Sequence, residues 1–142
     1  LALRVVGREP LMVVLPERHR LARLKRIPLP ALANESFLLV PRQLGPGFYD
    51  QLMAVCARAG FRPRVVQEAR TTLTIVSLIA GGMGVSLVPA SLQTLRRAGV
   101  AYRPLRPPVP TTKLAVLWRA EAVSPALRSF LHILWEVAGL KA

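Results

Sequence analysis

Two glycine-bearing stretches are the first places to look for chemistry in this sequence. Ile79 to Ser91 reads IAGGMGVSLVPAS, and Arg42 to Gly47 reads RQLGPG. A loop that cradles a phosphate or carboxylate follows a strand and opens a helix, so that the free amides of the helix start face the anion. Gly81, Gly82 and Gly84 come in the opposite order, after a helix and before a strand. They also lack the Lys-Ser/Thr of a phosphate loop and the spacing of a dinucleotide fingerprint. Their expected role is structural: positive φ at a helix C-terminus and a tight turn into a buried strand.

The loop Arg42-Gln43-Leu44-Gly45-Pro46-Gly47 has the required order, between a strand and a helix. The next crossover offers a second such end at Arg70-Thr71-Thr72. Two helix N-termini, the hydroxyls of Thr71 and Thr72 and nearby arginines make up the chemistry that holds a carboxylate. Ordinary helix capping by the two threonines is the alternative reading of the same residues. The string R-Q-x-G-x-G also resembles the acetyl-coenzyme A loop of N-acetyltransferases, although Pro46 removes a backbone N–H that such a loop uses. That fold is largely antiparallel, which disagrees with the element order here.

Other chemistry is sparse. His19 sits in a basic loop and His132 on the last helix, neither with neighbours at metal-ligand spacing. Cys56 shares an apolar helix face with Leu52 and Val55, and a single cysteine permits no internal disulfide framework. Asp50, Glu68, Glu121 and Glu136 form no carboxylate pair. No catalytic residue, metal or cofactor is expected, and the chain reads as something other than an enzyme.

The elements that position the two loops follow from periodicity. Leu3 to Val6 and Leu11 to Leu15 read as two strands separated by Gly7-Arg8-Glu9-Pro10. The second is continuously apolar, as a strand covered on both faces must be. A short helix at Pro28 to Ala33 and a strand at Phe37 to Val40 follow. Then come a helix to about Ala59, stopped by Gly60, a strand at Arg64 to Gln67 and a helix at Thr71 to Ala80. Strand Val85 to Val88, helix Ser91 to Arg97 and strand Val100 to Arg103 complete the alternation. This order predicts an α/β fold with an open, mostly parallel sheet and helices on both faces. Pro104 to Pro110 reads as a connector, before strand Leu114 to Trp118 and a helix opened by Ser124-Pro125.

With 52% hydrophobic and 19% charged residues, the 142-residue chain has the material for a core, which argues against disorder. No apolar run reaches the roughly 18–20 residues of a membrane span. Twenty Lys and Arg against seven Asp and Glu give a net charge of +13, a field that favours anionic partners. The densest cluster, Arg18-His19-Arg20 with Arg23, Lys25 and Arg26, has no interleaved aromatics, which weakens a direct nucleic-acid reading. The start, Leu1-Ala2-Leu3-Arg4, has neither Met nor a signal peptide, so a piece of a longer protein is expected.

Three spaced motifs carry a resemblance. Glu9-Pro10-Leu11-Met12-Val13-Val14-Leu15-Pro16 with His19-Arg20-Leu21-Ala22 resembles the entry strand of the effector-binding domain of LysR-type transcriptional regulators. Ile79 to Ser91 resembles that family's most recognisable stretch, and Leu117-Trp118-Arg119 with Ser124-Pro125-Ala126-Leu127 its terminal strand and helix. Within the family, the likeness is to regulators of aromatic-compound catabolism.

The resemblance implies a type II periplasmic-binding-protein-like fold. Residues 1–9 would then end regulatory subdomain I and form a hinge. Residues 10–110 would be the whole of subdomain II, and 111–142 the return strand and last helix of subdomain I. It implies a homodimer or tetramer that binds DNA through a winged helix-turn-helix outside this chain, a cytoplasmic location, and a small aromatic or dicarboxylic acid as effector. Carried onto this sequence, the effector cleft would be lined by Arg42, Pro46, Gly47 and Phe48, with Thr72. A solute-binding protein of the same fold is the rival reading. Peroxide-sensing relatives use two cysteines; Cys56 resembles the second, but Gly47 stands where the reactive one would be.

Overall fold

The computed structural model describes residues 1–141. Its contacts divide the chain into two units, Pro10–Pro110 and Leu1–Glu9 with Thr111–Ala142. The first strand, β1 (Ala2–Pro16), is unbroken and supplies residues to both. This corrects the expected pair of strands. Gly7 does not take a positive φ, and the fixed φ of Pro10 suits an extended backbone, so Gly7 to Pro10 continues the strand instead of turning it.

In the larger unit the strands β2 (Ser36–Leu39), β3 (Arg64–Glu68), β4 (Ser86–Pro89) and β5 (Val100–Pro104) join β1. β2 pairs parallel with β3. A parallel bridge between Phe37 and Val85 joins β2 to the start of β4, with Leu38 N–H donating to the Val85 carbonyl at 3.0 Å and Val85 N–H to the Ser36 carbonyl at 2.8 Å. The helices α1 (Pro46–Arg58) and α2 (Thr72–Ala80) are the two crossovers of this parallel set. The α/β expectation therefore holds. Parallel pairing belongs to β3, β2 and β4, whereas β1 lies antiparallel to β4 on one edge and β5 on the other.

Side-chain alternation along β1 explains why its run is wholly apolar. Leu11, Val13 and Leu15 pack with Leu52 and Cys56 of α1, whereas Val14 packs with Ile75, Val76 and Ile79 of α2. Phe37 and Leu39 join the first cluster and Leu38 the second. The two helices thus cover opposite faces. Removing one of these leucines to alanine carries a cost of about 2–5 kcal/mol.

Helix ends follow local chemistry. Gly60, at φ +89, ends α1, with its N–H on the Ala57 carbonyl and the Phe61 N–H on the Cys56 carbonyl. The expected helix at Ser91 to Arg97 is instead a single 3-10 turn, Ala90–Thr94. Its Thr94 hydroxyl donates to the Ser91 carbonyl at 2.9 Å, a local bond that competes with the α-helical ladder. In the basic cluster, Glu35 bonds both His19 Nε2 at 3.0 Å and Arg20 at 2.9 Å, while His19 Nδ1 accepts from Leu21 N–H. That stretch is tied down as structure.

The smaller unit holds β6 (Thr111–Trp118), paired with β1, and α3 (Pro125–Val137). Ser124 caps α3, accepting from Leu127 N–H at 3.2 Å, with Pro125 in the first helical position as expected. Leu131 and Trp135 are the buried residues of α3. The Trp118 and Trp135 rings lie 5.9 Å apart, and the Arg4 guanidinium sits 4.5 Å over Trp135 while donating to the Lys141 carbonyl.

The glycines of residues 81–84 have separate reasons. Gly81 is the last cap of α2 with negative φ, Gly82 takes φ +88 in open space, and Gly84 lies where a Cβ would be 2.2 Å from the Ser36 carbonyl oxygen. Gly84→Ala should therefore lower stability in urea unfolding by more than about 2 kcal/mol, by forcing β2 and β4 apart. Gly82→Ala should cost only about 1 kcal/mol. Equal losses at both positions would refute a close-approach role for Gly84.

Candidate functional site

Both crossover helices follow parallel strands, so their N-termini emerge at the strands' carboxyl ends. A cavity of ≈ 140 Å³ lies there. Leu39 and Val40, at the end of β2, and Ser86 to Pro89 of β4 form its strand side. Gly45, Phe48, Tyr49 and Leu52 of α1 with Thr72 and Ile75 of α2 form its helix side.

Of the residues expected from sequence, Phe48 and Thr72 line this cavity. Arg42, Gln43, Pro46, Gly47 and Thr71 do not, and all five are exposed. Arg42 is engaged elsewhere: its guanidinium donates two bonds to the Asp50 carboxylate, each 2.8 Å. The pairing holds the Asp50 carboxyl below its usual range and raises Arg42. Thr71 acts as the cap of α2, its Oγ1 accepting from Thr74 N–H at 3.1 Å. Pro46 occupies the first position of α1, where a missing N–H costs nothing.

Sequence reasoning missed Tyr49 and Ser86. Ser86 is 2% exposed, the one buried polar residue of the described core, and lies between Val85 and Leu87. A lone hydroxyl inside an apolar strand run was the available signal.

The electrostatics of the helix ends favour an anion. No side chain caps the start of α1, and neither helix carries an acidic residue in its first turn. The N–H groups of Gly47 and Phe48 have no intrahelical acceptor, and α2 likewise presents those of Thr72 and Leu73. The positive ends of two helix dipoles thus meet beside an apolar hollow with hydroxyls at Thr72 and Ser86.

Residues 1–139 match the family described as the LysR substrate binding domain. The chain belongs to that family. It is 38% identical over 136 residues to the HTH-type transcriptional regulator IlvR of Caulobacter vibrioides, covering 96% of this chain and 45% of that protein. The chain thus spans less than half the length of this curated relative.

Among solved structures of LysR regulators, CbnR superposes with a TM-score of 0.86 at 22% identity, over 96% of this chain and 47% of that one, a likeness of fold. The BenM effector-binding domain, solved with its effector benzoate, superposes with a TM-score of 0.73 at 27% identity, over 99% of this chain and 66% of that one. The likeness to an aromatic-acid regulator and the periplasmic-binding-protein-like α/β fold are therefore both present. Among the described residues, no helix is long and apolar enough to cross a membrane, and no group of His, Cys, Asp and Glu could hold a metal ion.

Cys56 is fully buried against α1's core face, and burial pushes its thiol up to about 11. The nucleophilic thiolate is therefore scarce near neutral pH, so this thiol should react with a disulfide reagent at pH 8 only as fast as the protein unfolds. Fast labelling of the folded protein would contradict this. Arg42→Gln should leave the fold intact and return the Asp50 carboxyl to a higher titration point. An NMR titration of its side chain that shows no upward shift would disprove the pairing as the cause.

Proposed function

We propose that this chain is the effector-sensing part of a LysR-type transcriptional regulator, and that its cavity at the carboxyl end of β2 receives a small carboxylic acid. The observation that carries this reading is the meeting of two uncapped or lightly capped helix starts beside one apolar hollow. The carboxylate would take amides of Gly47 and Phe48 with the Thr72 hydroxyl, while the body of the acid lies against Phe48, Leu52 and Ile75. A dry cavity of about 150 Å³ accommodates one benzene ring. At ≈ 140 Å³, this one suits an acid with a single ring or a short chain. BenM's benzoate and the shikimate of the QuiR effector-binding domain are acids of that size in proteins of this fold.

On this reading Pro10–Pro110 is regulatory subdomain II, and the smaller unit is the part of subdomain I that this chain contains. Exposed Leu1, Leu3, Leu114, Leu117, Phe130 and Ile133 in the smaller unit support that assignment, because a complete subdomain buries such residues. The whole protein would act in the cytoplasm as a homodimer or tetramer, reach DNA through a winged helix-turn-helix outside this chain, and catalyse no reaction. Effector binding shifts the oligomer only so far as the acid binds its two arrangements unequally.

A thermal-shift screen of small aromatic and aliphatic acids against the full-length regulator should find at least one stabiliser. Phe48→Ala, Thr72→Val and Ser86→Ala should each weaken that acid about tenfold in calorimetry, near 1.4 kcal/mol, with the fold retained. Unchanged affinity in all three would refute the placement.

A further inference from the structure

The proline-rich segment after β5, read from sequence as a connector, is built into a second and larger cavity. It measures ≈ 490 Å³ and lies wholly within the larger unit, at the C-terminal end of α1. Arg106 to Pro110 forms one wall, Pro28 to Pro30 another, and Val55, Arg58 and Ala59 of α1 the third. The proline wall is pinned at both ends. Ile27 N–H donates to the Pro104 carbonyl at 3.0 Å, Arg106 N–H to the Ile27 carbonyl at 2.9 Å, and Leu11 N–H to the Pro110 carbonyl at 2.9 Å. Five prolines give walls that carry no N–H and lose little conformational freedom when something binds.

The polar side chains of the lining are two arginines, Arg58 and Arg106, and no carboxylate lies among the lining residues. Neither guanidinium has an ion-pair or hydrogen-bond partner among the described residues. Three of the four carbonyls of α1's last turn, which would repel an anion, are already taken. Ala59 N–H reaches those of Val55 and Cys56, Gly60 N–H that of Ala57, and Phe61 N–H that of Cys56. What remains is an apolar trough with two unneutralised guanidinium groups at its edge.

We propose that this groove is a second binding site, for an amphipathic monocarboxylate larger than the first cavity admits. Its apolar tail lies against Leu29, Val55 and Val109, and its carboxylate meets Arg58 and Arg106. Its volume falls within the roughly 300–1,000 Å³ of ordinary ligand sites. The site is independent of the one at the N-terminus of α1, since the linings share no residue.

Octanoate titrated into the full chain, followed by methyl NMR, tests this. Saturable shifts at the Leu29, Val55 and Val109 methyls are expected at millimolar concentration or below. The double variant Arg58→Gln/Arg106→Gln alters only exposed side chains and should keep its melting temperature, yet weaken octanoate at least about tenfold. Phe48→Ala should leave octanoate unaffected, which separates this result from the fate of the first site. Four outcomes would overturn the proposal: no shifts at millimolar octanoate, shifts centred on other residues, equal binding of uncharged octanamide, or unchanged affinity in the double variant. Tighter binding of an acidic peptide at the same methyls would likewise overturn it and assign the groove to a protein partner.

Discussion

The double burial of Leu11 to Leu15 is the constraint from which the rest of the larger unit follows. A strand that is apolar on both faces and paired on both edges needs cover above and below, and α1 and α2 supply it from opposite sides. They do so here as crossovers of the parallel set β2, β3 and β4, so each runs back against the strands it connects. Their N-termini then have to appear at the same edge of the sheet. The anion-friendly corner is thus a by-product of core packing, and needs no basic side chain to create it.

The two ends of α1 show how one helix presents different chemistry at each terminus. Its start offers unpaired amides beside a small hollow, so backbone alone favours negative charge there. Its finish offers carbonyls, but Ala59, Gly60 and Phe61 consume those of Val55, Cys56 and Ala57 in closing the helix. Recognition at that end must come from side chains, and Arg58 and Arg106 are the ones available. Arg42 illustrates the converse. A guanidinium next to a helix start looks like an anion ligand in sequence, yet a carboxylate one turn into the helix claims it.

Much of this was legible from residues alone where the cause is local. The Ser124-Pro125 cap, the Gly60 stop and the continuous apolar run of β1 each follow from rules that span a few positions. The strand break expected at Gly7 to Pro10 failed because glycine and proline permit a turn without requiring one. Ladder partners, invisible in one sequence, decided for extension. The two helix N-termini, read from about Phe48 and from Thr71, lie within two residues of the observed starts at Pro46 and Thr72, because element order places them. Ser86 was not singled out because β4 was read only for its apolar content, and the pairing of Arg42 with Asp50, eight residues on, was not visible because it depends on how the intervening turn folds.

The absence of a polar face on Leu11 to Leu15 has a consequence for how the strand is read out by its surroundings. Sliding an ordinary half-exposed strand by one residue throws its oily side into water, and polarity alone forbids the error. Here such a slip would exchange one set of hydrocarbon side chains for another. The correct alignment must therefore be enforced by shape: two leucines and a valine pack with residues of one helix, and Val14 with residues of the other. Information that most strands store as contrast between oil and water is stored in this one as the fit of one hydrocarbon shape against another.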